Sequence, residues 1–220
     1  MPRRPRLESF LHNEALYGSG LTLEMVEAGL ASTYSTLDAI DETLIAKGNP
    51  RMSAMVELAN LSSMLGNLLA AGIAKASAGS FIKNGPHKYP DLLANHAGAV
   101  DIEIKVALEG NKPKGHLAKP GFYLTCRYVL CDETGCFKRG TENRGVTVWV
   151  WELRAGWLTQ EHFNLSNTPG DSGKTAVVNA LGMRNLKVIY CDLEMFPGSR
   201  TGRVYRALNG LFEQRLQMLD

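Results

Sequence analysis

The run Asp101, Ile102, Glu103, Ile104, Lys105, Val106 constrains the fold more than any other stretch of the chain. Strict two-residue alternation reads as a β-strand with its three charges on one face and its three β-branched residues on the other. The apolar face has to be covered by a second layer. A partly buried strand carrying two acids and a lysine on one side is costly unless those charges have work to do.

The covering layer is visible upstream. Over residues 22–47 the apolar positions Leu23, Val26, Leu30, Tyr34, Leu37, Ile40 and Leu44 recur at helical spacing. Thr22 is placed to cap this helix with Glu24 in its first turn, and Gly48, Asn49 and Pro50 stop it. A second helix is predicted over 52–76, rich in Ala, Leu and Met, with Glu57 as its single acid. After Gly79 the texture becomes strand-like, with candidate strands at 80–83, 91–94, 100–108, 122–131, 146–153 and 157–164. A short helix at 174–181, a strand at 186–191 and a last helix at 203–219 complete the pattern. That helix presents Val204, Leu208, Leu211, Phe212 and Leu216 on one face. The fold class is therefore α/β (α+β), a central mixed sheet flanked by helices. It reads as a single domain over 1–220, mainly helical over 1–79, a sheet core over 80–195 and a C-terminal helix over 196–220.

The charged strand also has a partner. Residues 91–94 and 99–106 are separated by Asn95, His96, Ala97 and Gly98, a good hairpin loop. If Asn95 pairs with Ala99, Asp91 falls opposite Glu103, with Cβ atoms about 4.5–5.5 Å apart. Two carboxylates at that spacing can share a divalent cation, and hard oxygen ligands favour Mg²⁺, with Mn²⁺ as a substitute. Lys105, one pleat further on, would sit beside the ion and orient or deprotonate a water. Asp101 is an alternative to Glu103 as ligand. The bland alternative is a solvated edge hairpin in which Lys105 pairs with Glu103 or Asp101.

Pro90-Asp91, followed after residues 92–102 by Glu103-Ile104-Lys105, resembles the motif of the PD-(D/E)xK nuclease superfamily, which includes many type II restriction endonucleases. In outline the resemblance covers roughly residues 50–195, with specific matches only at the motif. It implies a restriction-endonuclease-like core and a Mg²⁺-dependent endonuclease that hydrolyses DNA phosphodiester bonds. By the family's pattern Asp91, Glu103 and the Ile104 carbonyl would bind the metal, and Lys105 would assist the water. Family members often add an acid from the preceding helix, and Glu57 is the one candidate there. A site-specific restriction enzyme cutting both strands of a symmetric site suggests a homodimer. The alternatives are a repair, phage or junction-resolving nuclease of the same superfamily, or a non-catalytic DNA-binding protein.

Other signals are weaker. The loop after the motif holds Lys112, Lys114, His116 and Lys119 with no acid, which suits contacts to a double-stranded DNA backbone. A second basic cluster at a predicted hairpin tip, with Arg139, Asn143 and Arg144, carries side chains that read guanine and adenine edges. Cys126, Cys131 and Cys136 recur every five residues, a poor match to paired zinc ligands, and read as free thiols. Gly173-Lys174-Thr175 lacks the upstream glycine of a P-loop, so no nucleotide cofactor is expected. There are 24 Lys plus Arg against 22 Asp plus Glu, so net charge decides nothing about partners. No apolar run is long enough for a membrane span. The basic start through Arg6 reads as a solvated terminus or a DNA-backbone arm rather than a secretory signal, so a cytoplasmic setting is expected, and the resemblance to restriction endonucleases implies a prokaryotic cell.

Overall fold

Thr22 opens the first long helix, its hydroxyl accepting a hydrogen bond from the Met25 amide at 3.3 Å. In the computed structural model, which describes residues 2–11, 14–86, 88–115, 118–166 and 175–217, this helix is α1 (Leu23–Ala46). It ends where Gly48 takes φ +76°. The second, α2 (Leu58–Ala76), is shorter than its sequence pattern: residues 52–54 form a 3₁₀ turn and Glu57 is the N-cap of the helix rather than part of it. The two helices cross at glycines. A Cβ on Gly72 would lie 2.6 Å from the Gly29 carbonyl oxygen, and one on Gly29 would lie 2.6 Å from Ile73 Cγ1.

Nine strands follow among the described residues: β1 (Phe81–Lys83), β2 (Leu92–Ala94), β3 (Ile102–Leu108), β4 (Lys114–Gly115), β5 (Gly121–Cys131), β6 (Thr147–Leu158), β7 (Phe163–Ser166), β8 (Thr175–Val178) and β9 (Lys187–Cys191). Six of them form one mixed sheet in the order β1-β2-β3-β5-β6-β9. Every neighbouring pair is antiparallel except β3 and β5, which run parallel. A parallel pair needs a crossover of about a dozen residues. Residues 109–120 supply it, and β4 within them joins β8 and β7 in a separate three-stranded sheet.

The expected α-plus-β composition and the mixed sheet are therefore present. Helices α1 and α2 cover one face, where Leu30, Tyr34, Leu65, Leu69 and Ile73 pack with Ile102, Ile104, Phe122 and Leu124. The other face is covered less conventionally. Tyr123, Phe163, Ala176 and Val178 pack beneath the small sheet and α3 (Ala180–Asn185). Val129, Trp151 and Phe196 pack with Leu208 of α4 (Arg203–Gln217). No helix among the described residues is long and apolar enough to cross a membrane.

Several elements differ from the sequence reading. The strands expected at 146–153 and 157–164 are largely one strand, β6, because Gly156 stays in the ladder opposite Tyr123 at φ 152° instead of turning. The helix expected at 174–181 is β8, whose Thr175-Ala-Val-Val178 run alternates in burial and pairs with β7. Helix α3 starts only after Asn179 caps it by accepting from the Gly182 amide at 3.0 Å. On α4, Tyr205, Leu208 and Phe212 face the core, whereas Val204 and Leu211 are exposed. The Leu216 side chain and residues 167–174 lie outside the described residues.

The basic N-terminus is neither frayed nor free. Arg3 is buried, with Nη1 2.6 Å from Asp38 and Nη2 2.5 Å from Asp41, which Arg51 also approaches at 3.4 Å. Arg6 pairs with Asp192 and Glu194, and Phe10 bridges to Tyr190 of β9. The segment straps the helical layer to the far edge strand.

Candidate active site

The hairpin has the register expected of it. Leu92 pairs with Ile102, so continuing the ladder sets Asp91 opposite Glu103 and Pro90 opposite Ile104. Asp91 sits just before β2, and its Oδ2 accepts a hydrogen bond from the Ile104 amide at 2.7 Å. In an antiparallel ladder a residue's N–H and C=O point to the same neighbour, so the Ile104 carbonyl is aimed to the Asp91 side. Pro90, opposite it, has no N–H to offer. Glu103 is 7% exposed, and the Lys105 ammonium pairs with its Oε1.

β3 is an interior strand between β2 and β5 and not the solvated edge of the bland alternative, although the Lys105–Glu103 pair that this alternative expected is present. Asp101 is exposed, and its Oδ1 accepts from the Ala94 amide at 2.9 Å, closing the hairpin rather than joining the buried acid. The Glu103 carboxyl is pushed above its ordinary value, chiefly by burial and further by Asp91, against the opposing pull of Lys105. Two adjacent carboxylates, one of them buried at a cost in its ionised form, fit a divalent cation. Among the described residues no cluster of three or more His, Cys, Asp or Glu forms a metal site. The oxygen groups that the hairpin brings together are two carboxylates, Asp91 and Glu103, with the Ile104 backbone carbonyl aimed to the same side.

Groups that the sequence reading did not single out surround this pair. Because β3 runs parallel to β5, Glu103 lies beside Tyr123 and Lys105 beside Thr125. The Tyr123 hydroxyl donates to the Lys119 carbonyl at 2.7 Å, and Tyr89 lies near it. Lys119 Nζ lies 4.2 Å from the centre of the Tyr89 ring. The Tyr89 hydroxyl is held above its ordinary value, first by burial and also by the nearby Glu103, Asp101 and Asp91. Position 89 directly precedes the motif, which was the available signal for it. Tyr123 had none, because a parallel pairing across residues 109–120 leaves no local trace.

The same face continues into a buried ionic cluster. Thr125 pairs with Arg154, and Arg127 with Glu152. Glu152, 1% exposed, accepts a hydrogen bond from Arg154 Nη2 at 2.7 Å and forms an ion pair with Arg127, whose Nε lies 3.0 Å away.

Not every expected residue reaches the site. Lys114 on β4 and Lys119 lie beside it and are exposed. Lys112 is exposed nearer the far end of β3, and His116 lies outside the described residues. Glu57 is a correction. The helix it caps packs on the opposite face of the sheet, where a Cβ on Gly66 would lie 3.2 Å from Val106 Cγ2. The carbonyl of the next residue, Leu58, is 3.4 Å from the Tyr128 hydroxyl. Tyr128 is five positions along β5 from Tyr123, roughly 16 Å at ~3.3 Å per residue. Glu57 is exposed and remote from Glu103. Arg139, Asn143 and Arg144 are also at the far end. Arg144 is held by a two-pronged ion pair with Glu109 at 2.7 and 3.0 Å, and Arg139 Nε donates to the Phe196 carbonyl at 3.3 Å. The Asn143 amide donates to the Arg139 carbonyl at 2.6 Å. The cysteines are free, with Cys126 and Cys131 on opposite faces of the sheet, as their spacing implied.

Comparison with protein-family models and with curated proteins returns no match for this sequence.

Proposed function

We propose that the chain is a Mg²⁺-dependent endonuclease that hydrolyses DNA phosphodiester bonds on a PD-(D/E)xK-type core. The observation that carries this reading is Asp91 opposite Glu103 on an interior hairpin, with Lys105 on the same face. Asp91, Glu103 and the Ile104 carbonyl would hold the cation, with Mn²⁺ as a substitute. Once bound, the ion supplies Lewis-acid polarisation of the scissile phosphate and offsets the charge that develops on it. Asp91, Glu103 and Lys105 sum to one negative charge, so a divalent ion leaves the site positive toward a phosphodiester. Lys105 donates hydrogen bonds to the attacking water and to the oxygens gaining charge. Lys119 and Lys114 contact the strand's phosphates on either side. Glu57 has no part in this chemistry, and Arg144 is engaged elsewhere.

A site-specific type II restriction enzyme, working as a homodimer in a prokaryotic cytoplasm, is the form of this activity that the motif resemblance favours. The test is incubation with a long double-stranded DNA and Mg²⁺, followed by mapping of fragment ends. Discrete ends are expected, and Asp91→Ala, Glu103→Ala and Lys105→Ala should each lower the rate by about 10³-fold or more. Wild-type protein that leaves DNA intact across a range of Mg²⁺ and Mn²⁺ concentrations would refute the proposal.

A further inference from the structure

β4 is only two residues long, yet three backbone rungs tie its segment down. Lys114 pairs with Val177, Gly115 pairs with Ala176, and the Val178 amide donates to the Pro113 carbonyl at 2.9 Å. Ala176 and Val178 are themselves buried with Tyr123, Phe163 and Met183, so the strap is anchored to a packed layer and not to a free loop. It crosses the charged face of β3 directly over Lys105. A Cβ on Gly115 would lie 2.5 Å from Lys105 Nζ, 2.6 Å from Cε and 3.2 Å from Cδ. Glu103 binds the ammonium from one side, Thr125 lies alongside, and the bare backbone of Gly115 closes the slot.

A lysine is a point charge on a flexible four-carbon stem, and its ion pair with Glu103 holds only the end of that stem. Here a backbone wall adds what the ion pair lacks. We propose that Gly115 is a positioning residue for Lys105: the absence of a side chain at 115 creates the slot that holds the ammonium beside Glu103. Its effect on Lys105 is independent of the nuclease reading, whereas its effect on cleavage rests on that reading.

The smallest side chain is enough for a test. Restoring ordinary contact of about 3.4 Å from 2.5 Å moves the ammonium by about 0.9 Å, and a misplacement of about 1 Å can cost 10²-fold in rate. Gly115→Ala and Gly115→Ser are compared with wild type and with Gly110→Ala, a control in the same loop where an added Cβ meets nothing within 4 Å. Labelling of Lys105 by an amine-reactive reagent at one fixed pH, read by peptide mass spectrometry, should rise several-fold in both Gly115 variants and stay at the wild-type level in the control. In Mg²⁺-dependent cleavage, kcat should fall by about 10–100-fold with KM unchanged. Wild-type labelling and kcat in either folded Gly115 variant would overturn the proposal. Altered Lys105 labelling in a protein whose wild type does not cut DNA would reject the nuclease reading and leave the positioning role standing.

Discussion

Replacing Glu152 by Gln should be among the most damaging single changes away from the Asp91–Glu103 pair. The carboxylate is 1% exposed and serves two guanidinium groups, Arg127 at 3.0 Å and Arg154 at 2.7 Å, whose side chains are only 13% and 15% exposed. Arg154 has one further acceptor, the Met183 carbonyl at 3.0 Å, and Arg127 lies over the Trp151 ring at 5.3 Å. Burial already lowers the Arg127 pKa even with Glu152 in place, and Arg154 adds to the lowering. An isosteric amide keeps the shape and removes the charge, leaving two buried cations facing each other. Breaking a buried pair in this way costs about 3–5 kcal/mol. In a chain of this size 1 kcal/mol moves Tm by roughly 2–4 °C, so thermal unfolding followed by circular dichroism should show a drop of about 6–20 °C. Changing Arg127, Glu152 and Arg154 together to Met should cost far less, because a fully apolar replacement removes the desolvation cost along with the pairing. A Tm within about 2 °C of wild type for Glu152→Gln would mean that water reaches the cluster, and the account of this face would be wrong.

Two further perturbations follow from the same structure. Glu103→Gln should raise Tm in the absence of divalent ions while abolishing cleavage, since burial and Asp91 together outweigh Lys105 in setting this carboxyl. An unchanged or lower Tm would contradict that balance. The sign with pH is fixed by linkage. A carboxyl whose folded pKa is raised contributes stability in acid, and that contribution is lost as pH climbs from the ordinary carboxylate value through the folded one. Mg²⁺ needs the ionised form, so its stabilising effect should grow across the same window, and a pH-independent Mg²⁺ effect would count against Glu103 as ligand. Arg3→Ala should lower the urea midpoint, since it takes the guanidinium from Asp38 and leaves Asp41 only Arg51 at 3.4 Å and the Met52 amide at 3.0 Å. A wild-type midpoint would show that the N-terminal strap contributes nothing.

Local chemistry made part of this molecule legible in the sequence. The Thr22 cap, the Gly48 stop and the register of Asp91 against Glu103 depend on residues a few positions apart and are as expected, although β3 begins only at Ile102 and the loop is longer than the four residues foreseen. The parallel pairing of β3 with β5 is set by contacts across an irregular crossover, so Tyr123, Thr125 and the Arg127–Glu152–Arg154 cluster could not be placed beside the motif in advance. Residues 175–178 were misread because Thr-Ala-Val-Val tolerates either state in isolation, and pairing with β4 and β7 decides for the strand. Glu57 failed for a different reason. Its helix was correctly expected to pack on the hairpin, but it packs on the apolar face that alternation had already assigned, so a carboxylate at its N-cap cannot reach the charged one.

Calorimetric titration of metal-free protein with Mn²⁺ and with Mg²⁺ bears most directly on the central claim. Wild type should bind both ions, and Asp91→Ala and Glu103→Ala should each remove that binding while keeping a folded, cooperative melt. Absence of binding to wild type, or wild-type affinity in either variant, would contradict the assignment of this hairpin as a metal site.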